Sequence, residues 1–180
     1  MGAVMILLGV DPGSQRTGYG AIESDGRRHR LLEMGVLAPP ASGTLAEKLQ
    51  FIHDGLSLIV GRVHPDALAV EDLFHAANTR TALVLGHVRG VVLLAGAQAR
   101  IPVHAFSPAT VKAQITGFGR AEKRQVALMV SRLLTLPADI VAGDATDALA
   151  VALCLAHQTP HSEALAAAAA TPIRRAGKRP

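Results

Sequence analysis

The chain has 180 residues, of which 49% are hydrophobic and 3% aromatic, a composition that suits one globular domain with an aliphatic core. Scarce aromatic residues argue against a protein that binds nucleic acid mainly by stacking, and the single Cys154 excludes an intramolecular disulfide and a cysteine-rich zinc site and fits a reducing cytoplasm. The net charge of +4 favours a polyanionic partner, although four of the positive charges lie in the last seven residues.

The beginning of the chain predicts three strands joined by short turns. The apolar run Met5–Val10 ends at Asp11-Pro12-Gly13-Ser14, and Thr17–Glu23 is a returning strand. Arg30–Leu37 follows the turn Ser24-Asp25-Gly26 as a third strand, so we expect an antiparallel meander. The first apolar run is too short to span a membrane and no basic region precedes it, so we do not expect a signal peptide.

Helices and strands alternate after this meander. The predicted elements are a helix from Thr44 to Val63, a strand Ala67–Val70 closing on Glu71, a helix from Asn78 or Thr79 to Ala99, a strand Ile101–Phe106, and helices over 109–115, 121–136 and 144–157. Residues 159–180 are rich in alanine and then basic, and we expect a disordered tail outside a domain of residues 1–158. The order predicts an α/β fold with a mixed five-stranded sheet, three antiparallel strands and then parallel additions, flanked by helices.

Four carboxylates lie where such a fold could bring them together. Asp11 ends the first strand and Glu71 ends the fourth, so both emerge at one sheet edge if these strands are parallel neighbours. Asp144 and Asp147 are three residues apart at a helix start and share one face. Clustered carboxylates require compensating cations, and oxygen ligands alone suit Mg²⁺ or Mn²⁺. Two such ions could support hydrolysis of a phosphodiester.

Each acid also has an ordinary structural explanation. Asp11 before Pro-Gly is common turn chemistry, and Glu71 or the adjacent Asp72 could be a solvated loop acid. Asp144 suits a helix N-cap. Asp147 is harder to explain in this way because the surrounding helix is otherwise apolar. The combination of the four acids, in this order, is therefore far more specific than any one of them.

Five motifs between Met5 and His157 resemble, in order and spacing, those of the RuvC resolvases. They are Asp11-Pro12-Gly13-Ser14 with Thr17–Gly20, Val70-Glu71 with Leu73-Phe74, Leu85-Gly86 with Arg89-Gly90, Val111-Lys112 with Gly117–Gly119 and Ala121–Lys123, and Asp144–Ala150. The resemblance implies an RNase H-like fold. It also implies an endonuclease that resolves four-way DNA (Holliday) junctions by symmetric paired nicks during recombination and repair.

The resemblance also assigns roles to individual residues and names partners. The implied catalytic metal ligands, for two divalent cations per subunit (Mg²⁺, with Mn²⁺ as the alternative), are Asp11, Glu71, Asp144 and Asp147. The implied DNA-binding residues are Lys112, Lys123, Phe74, Arg120 and Arg124. The implied partners are junction DNA, a second copy of the chain, and the branch-migration proteins RuvA and RuvB, with no membrane.

Some of these roles have competing explanations. Phe74 either inserts between junction bases or anchors its loop to the core, and Arg120 and Arg124 suit a solvated helix face equally well. Asp72 stands where the family pattern has an uncharged residue, and it could assist or replace Glu71 as a ligand. The helix from Asn78 is apolar on more than one side, which indicates either a dimer contact or a deeply buried core helix.

Three other classes of protein share part of this pattern. An ATP-binding protein of the actin and Hsp70 type has a similar first loop, but it needs a second related domain for which this chain has no room. Another RNase H-like nuclease or transposase would use the same acids. A non-catalytic DNA-binding module would not need the acids at all, so loss of cleavage on Asp11→Asn substitution distinguishes it.

Overall fold

The computed structural model describes residues 4–72, 78–137 and 143–158. Its strands are β1 (Met5–Asp11), β2 (Thr17–Ser24), β3 (His29–Leu37), β4 (Ala67–Glu71) and β5 (Val103–Phe106). Its helices are α1 (Leu45–Val63), α2 (Thr79–Gln98), α3 (Pro108–Thr116), α4 (Lys123–Leu133) and α5 (Asp144–Gln158). The predicted aromatic Phe74 and the predicted tail 159–180 lie outside the described residues.

The five strands form one mixed sheet in the order β3-β2-β1-β4-β5. β2 pairs antiparallel with β1 and with β3, whereas β1 and β5 both pair parallel with β4. This arrangement confirms the predicted meander followed by parallel additions. Val10 of β1 lies opposite Val70 of β4, so Asp11 and Glu71 follow side by side at one edge of the sheet.

Each face of the sheet carries its own hydrophobic core. Leu8 and Val10 of β1 pack with α1 and α2, whereas Leu7 belongs to the core that contains α5. Since side chains alternate between the two faces of a strand, Asp11 lies on the same face as Leu7. Glu71 shares its face with Ala67 and Ala69, which also belong to the α5 core. The alternation therefore directs both acids toward α5.

Helix α5 lies directly on the sheet and is buried from Ala148 to Ala156. Two glycines permit this close approach. A Cβ at Gly9 of β1 would collide with the carbonyl oxygen of Ala148, and a Cβ at Gly18 of β2 would collide with that of Asp144. The helices α3 and α4 cover the outer side of α5. The first turn of α5 is thereby fixed against the ends of β1 and β2.

Three predicted boundaries were wrong by two or three residues. Helix α4 begins after Glu122 rather than at Ala121, because Glu122 and Gln125 form a reciprocal capping box. It ends at Leu133 rather than Leu136, and Thr135 has a left-handed backbone (φ 50°) that a helix does not accommodate. Strand β5 begins at Val103 rather than Ile101.

Helix α2 is long and apolar enough to cross a membrane by length and composition alone, and only 22% of its most apolar 18-residue window is buried. Val88, Val92 and Ala95 pack into the core on the α1 side of the sheet. Leu83 and Leu94 remain 62% and 49% exposed. This exposure contradicts the alternative of a deeply buried core helix and leaves one apolar side of α2 uncovered.

We expect Gly9→Ala to lower the free energy of unfolding by about 1–3 kcal/mol, because the added methyl group meets backbone atoms of α5 that cannot move independently. Gly61→Ala is the matched control. Gly61 lies in α1 with open space around it, so alanine should raise stability by about 0.5–1 kcal/mol through helix propensity. Chemical denaturation of both variants measures the difference, and equal stabilities would contradict the proposed role of the Gly9 contact.

Candidate active site

Three carboxylates meet where β1 ends against the first turn of α5. Carboxylate oxygens of Asp11, Asp144 and Asp147 all lie within 4.8 Å of one another. The backbone N–H of Asp147 donates to the carbonyl of Gly143 (2.9 Å), so the helix has already begun where these acids stand. Its N-terminal partial positive charge favours both acids. The predicted grouping of Asp11 with the two α5 acids is therefore present in the structure.

Glu71 is the fourth acid, and it lies beside this triad. It is hydrogen-bonded to Asp11, and it lines a cleft of about 220 Å³ together with Asp147, Lys112 and Lys123. Burial raises the pKa of Glu71, and the negative charge of Asp147 raises it further, while the hydrogen bond with Asp11 acts in the opposite direction. The four predicted acids thus form one continuous patch.

The patch carries more negative charge than its own surroundings can compensate. The pKa of Asp11 is raised from 3.8 to about 8, chiefly by burial and then by the charges of Glu71, Asp147 and Asp144, against the opposing effect of Lys123. The ligand atoms that this cluster offers to a metal are carboxylate oxygens, which Mg²⁺ and Mn²⁺ prefer. Divalent cations therefore fit this site both in charge and in donor chemistry.

Two of the predicted basic residues line the same cleft. Lys123, at the start of α4, places its Nζ 2.6 Å from Oδ2 of Asp147, and this contact raises the pKa of the lysine. Lys112, on α3, is close enough to Glu71 to lower the pKa of that acid. Arg120 and Arg124 are exposed and are not among the residues that line the cleft.

The structure adds two ion pairs that the sequence did not indicate. Nε of Arg16, in the turn between β1 and β2, lies 2.6 Å from Oδ2 of Asp144. Oδ1 of Asp72 lies 3.2 Å from Nε of Arg89 on α2, at ion-pair distance but without hydrogen-bond alignment. Asp72 therefore contacts α2, whereas Glu71 lines the cleft. This difference favours Glu71 over Asp72 as a metal ligand.

A five-stranded mixed sheet with helices on both faces, carrying a carboxylate cluster at the end of its central strand, defines an RNase H-like, metal-dependent nuclease. The expected fold is confirmed. Comparison with known proteins specifies the family within this class.

The family model for the crossover junction endodeoxyribonuclease RuvC matches residues 7–155. The RuvC protein of Desulforamulus reducens is 47% identical over 150 residues, 83% of this chain and 92% of that one. The RuvC protein of Pelotomaculum thermopropionicum is 46% identical over 85% of this chain and 93% of its own length. The structure of T. thermophilus RuvC in complex with a Holliday junction substrate matches with a TM-score of 0.78 and 34% identity, over 83% of this chain and 92% of that one.

The chain belongs to the RuvC family. It is accordingly a crossover junction endodeoxyribonuclease, a metal-dependent hydrolase of DNA recombination and repair. The match rules out the ATP-binding and non-catalytic alternatives. It also spans all five motifs that resemble those of the RuvC resolvases.

The raised pKa of Asp11 predicts a pH-dependent stability of the metal-free protein. Because the folded-state pKa lies above the ordinary value of 3.8, the contribution of Asp11 to stability is greatest at low pH and is lost as pH rises toward about 8. Asn cannot ionise, so Asp11→Asn should lack this part of the decline. We expect the thermal midpoint of Asp11→Asn in EDTA to exceed that of the wild type increasingly from pH 4 to 8. A difference independent of pH would contradict the burial of this charge.

Proposed function

We propose that Asp11, Glu71, Asp144 and Asp147 are the catalytic acids and that together they hold two Mg²⁺ ions per subunit. The support is the spacing of the carboxylate oxygens and the excess negative charge that raises the pKa of Asp11. When bound, two such cations supply activation of a water molecule and stabilisation of the leaving oxygen in phosphodiester hydrolysis. Mn²⁺ has the same donor preference and is the alternative ion.

We propose that the basic residues of the cleft bind the DNA backbone at the scissile phosphate. Lys112 and Lys123 line the same cleft as Glu71 and Asp147, and Asp147 orients the ammonium group of Lys123. Arg120 and Arg124 are assigned to backbone phosphates farther along the DNA, in keeping with their exposure. Phe74, whose position lies outside the described residues, is assigned by family resemblance to unstacked bases at the branch point.

We propose that the functional unit is a homodimer that nicks two strands of a Holliday junction at symmetric positions. A four-way junction has two-fold symmetry, and a symmetric dimer presents two equivalent sites to it. The exposed side of α2 supports this assembly. Leu83, Gly86, Gly90 and Leu94 are spaced by three, four and four residues and lie on one face, and the two glycines have open space above them.

Three further assignments do not depend on the geometry of the cleft. We propose that the branch-migration proteins RuvA and RuvB supply the junction, that the enzyme acts in the cytoplasm, and that it does so without a membrane. The single buried Cys154 agrees with a reducing compartment.

Cleavage of a labelled synthetic four-way junction tests the proposed acids. With Mg²⁺, the wild type should produce paired symmetric nicks in the junction and leave a linear duplex of the same sequence intact. Asn or Gln at each of the four acids should reduce the single-turnover rate roughly 100-fold or more, since metal ions supply several kcal/mol of transition-state stabilisation.

Asp72→Asn is the matched control, since Asp72 is paired with Arg89 rather than placed in the cleft. It should keep a rate within a few fold of the wild type. The inactive variants must still bind the junction, so that a loss of affinity cannot explain the loss of cleavage. Equal cleavage of linear duplex would indicate a general nuclease instead, and an active Glu71→Gln variant would remove Glu71 from the site.

Charge placed on the exposed face of α2 tests the dimer. The Leu83→Glu/Leu94→Glu double variant should sediment as a monomer, because two buried carboxylates in an apolar interface are strongly unfavourable. Leu58→Glu is the control, at a leucine that is 70% exposed on α1. It should sediment like the wild type. A double variant that stays dimeric would place the dimer contact elsewhere.

A further inference from the structure

Arg16 is a charged residue at the catalytic centre for which the family resemblance gives no role. It lies in the turn between β1 and β2, five residues after Asp11. Its Nε donates to Oδ2 of Asp144 at 2.6 Å, although the two residues are 128 positions apart in the chain. The Arg16 side chain is 61% exposed and that of Asp144 is 31% exposed. The guanidinium group therefore lies at the solvent-facing mouth of the acidic patch.

The turn holds the backbone of Arg16 in a defined position. Thr17 is fully buried, its Oγ1 donates to the carbonyl of Gly13 at 2.8 Å, and the same oxygen accepts from the Gly13 N–H at 3.4 Å. The turn is so tight that a Cβ at Gly13 would collide with the carbonyl oxygen of Arg16. Arg16 therefore extends toward α5 from a rigid base, and its direction does not depend on the Asp144 contact alone.

The arrangement of Arg16 matches that of Lys123. Each of the two acids in the first turn of α5 has one cation at 2.6 Å, Lys123 on Asp147 and Arg16 on Asp144, supplied from different elements. Lys123 is assigned to phosphate binding in the proposed function. The two cations are also similarly exposed, at 62% and 61%. Each of the two α5 acids that are proposed metal ligands therefore has its own positively charged partner.

The chemistry of arginine allows it to bind two anions at once. A guanidinium group has five N–H donors in a planar fork, and the contact with Asp144 uses only Nε. Within residues 4–72, 78–137 and 143–158, the structure gives no partner to the terminal nitrogens of Arg16. They are free to donate two parallel hydrogen bonds to a phosphate, the geometry that makes arginine a common phosphate ligand. Because exposed ion pairs contribute little to stability, the pair with Asp144 is better explained by orientation of the guanidinium group.

We propose that Arg16 binds a phosphate of the junction DNA next to the scissile position, with its guanidinium group oriented by Asp144. The proposal rests on the proposed catalytic role of Asp144. It adds a third cation, from the β1–β2 turn, to the two lysines of the cleft. In the bound complex Asp144 would then contact both the metal site and a DNA-binding arginine.

The salt dependence of junction binding tests this proposal, with Ca²⁺ in place of Mg²⁺ so that affinity is measured without cleavage. Each phosphate contact contributes about 0.9 to the slope of log K against log salt concentration. Arg16→Gln should therefore reduce the slope by about one. Arg16→Lys keeps the charge and should keep the slope. Arg27→Gln is the matched control, because it removes the same charge from an exposed turn at the opposite end of β2.

A slope for Arg16→Gln equal to that of the wild type would overturn the proposal. An equal reduction of the slope in Arg27→Gln would also overturn it, because the effect would then reflect net charge alone. An equal reduction in Arg16→Lys would do the same, because the effect would then reflect a disturbed turn. Single-turnover cleavage by Asp144→Asn separates this result from the proposed function. If that variant cuts like the wild type, the proposed catalytic site is wrong. If it is inactive while Arg16→Gln keeps the wild-type slope, only the role of Arg16 is wrong.

Discussion

The close contact between α5 and the sheet is the constraint on which the site depends. Asp11 and the two α5 acids are more than 130 residues apart, and they meet only because the helix backbone rests on the sheet without intervening side chains. Gly9 and Gly18 make that separation possible, since a methyl group at either position would collide with a carbonyl oxygen of the helix. Interiors are close-packed and transmit small displacements, so a shift of α5 would change the carboxylate spacing directly.

This packing also creates an electrostatic cost. It brings Asp11 into a poorly solvated position beside three other carboxylates, and together these effects raise its pKa to about 8. The helix N-terminus, Arg16 and Lys123 offset part of the charge on the α5 acids, and Lys123 also lowers the pKa of Asp11 in part. A divalent cation would neutralise the remaining charge. The metal-free protein is therefore less stable because its metal-binding site is already formed.

Periodicity and turn chemistry were sufficient to predict the elements, the sheet and the grouping of the acids. Asp11 and Glu71 each end a predicted strand, so parallel pairing of those strands brings both acids to one sheet edge, and the three-residue spacing of Asp144 and Asp147 puts both on one helix face. The contacts of Arg16 and Asp72 could not be predicted in this way. Each depends on the direction of a long side chain across elements distant in sequence, and nothing in a local pattern encodes it. The ends of α4 shifted because a capping box and a left-handed Thr135 override apolar spacing.

The Asp72–Arg89 pair connects α2 to the edge of the sheet where the carboxylates cluster. β4 ends at Glu71, a proposed metal ligand, and the next residue is held by an arginine one position before Gly90 on the exposed face of α2. If that face forms the dimer, the partner helix would pack within one residue of the arginine that holds the end of β4. The proposed interface is therefore joined to the end of β4 at Asp72, a residue that is not among those lining the cleft.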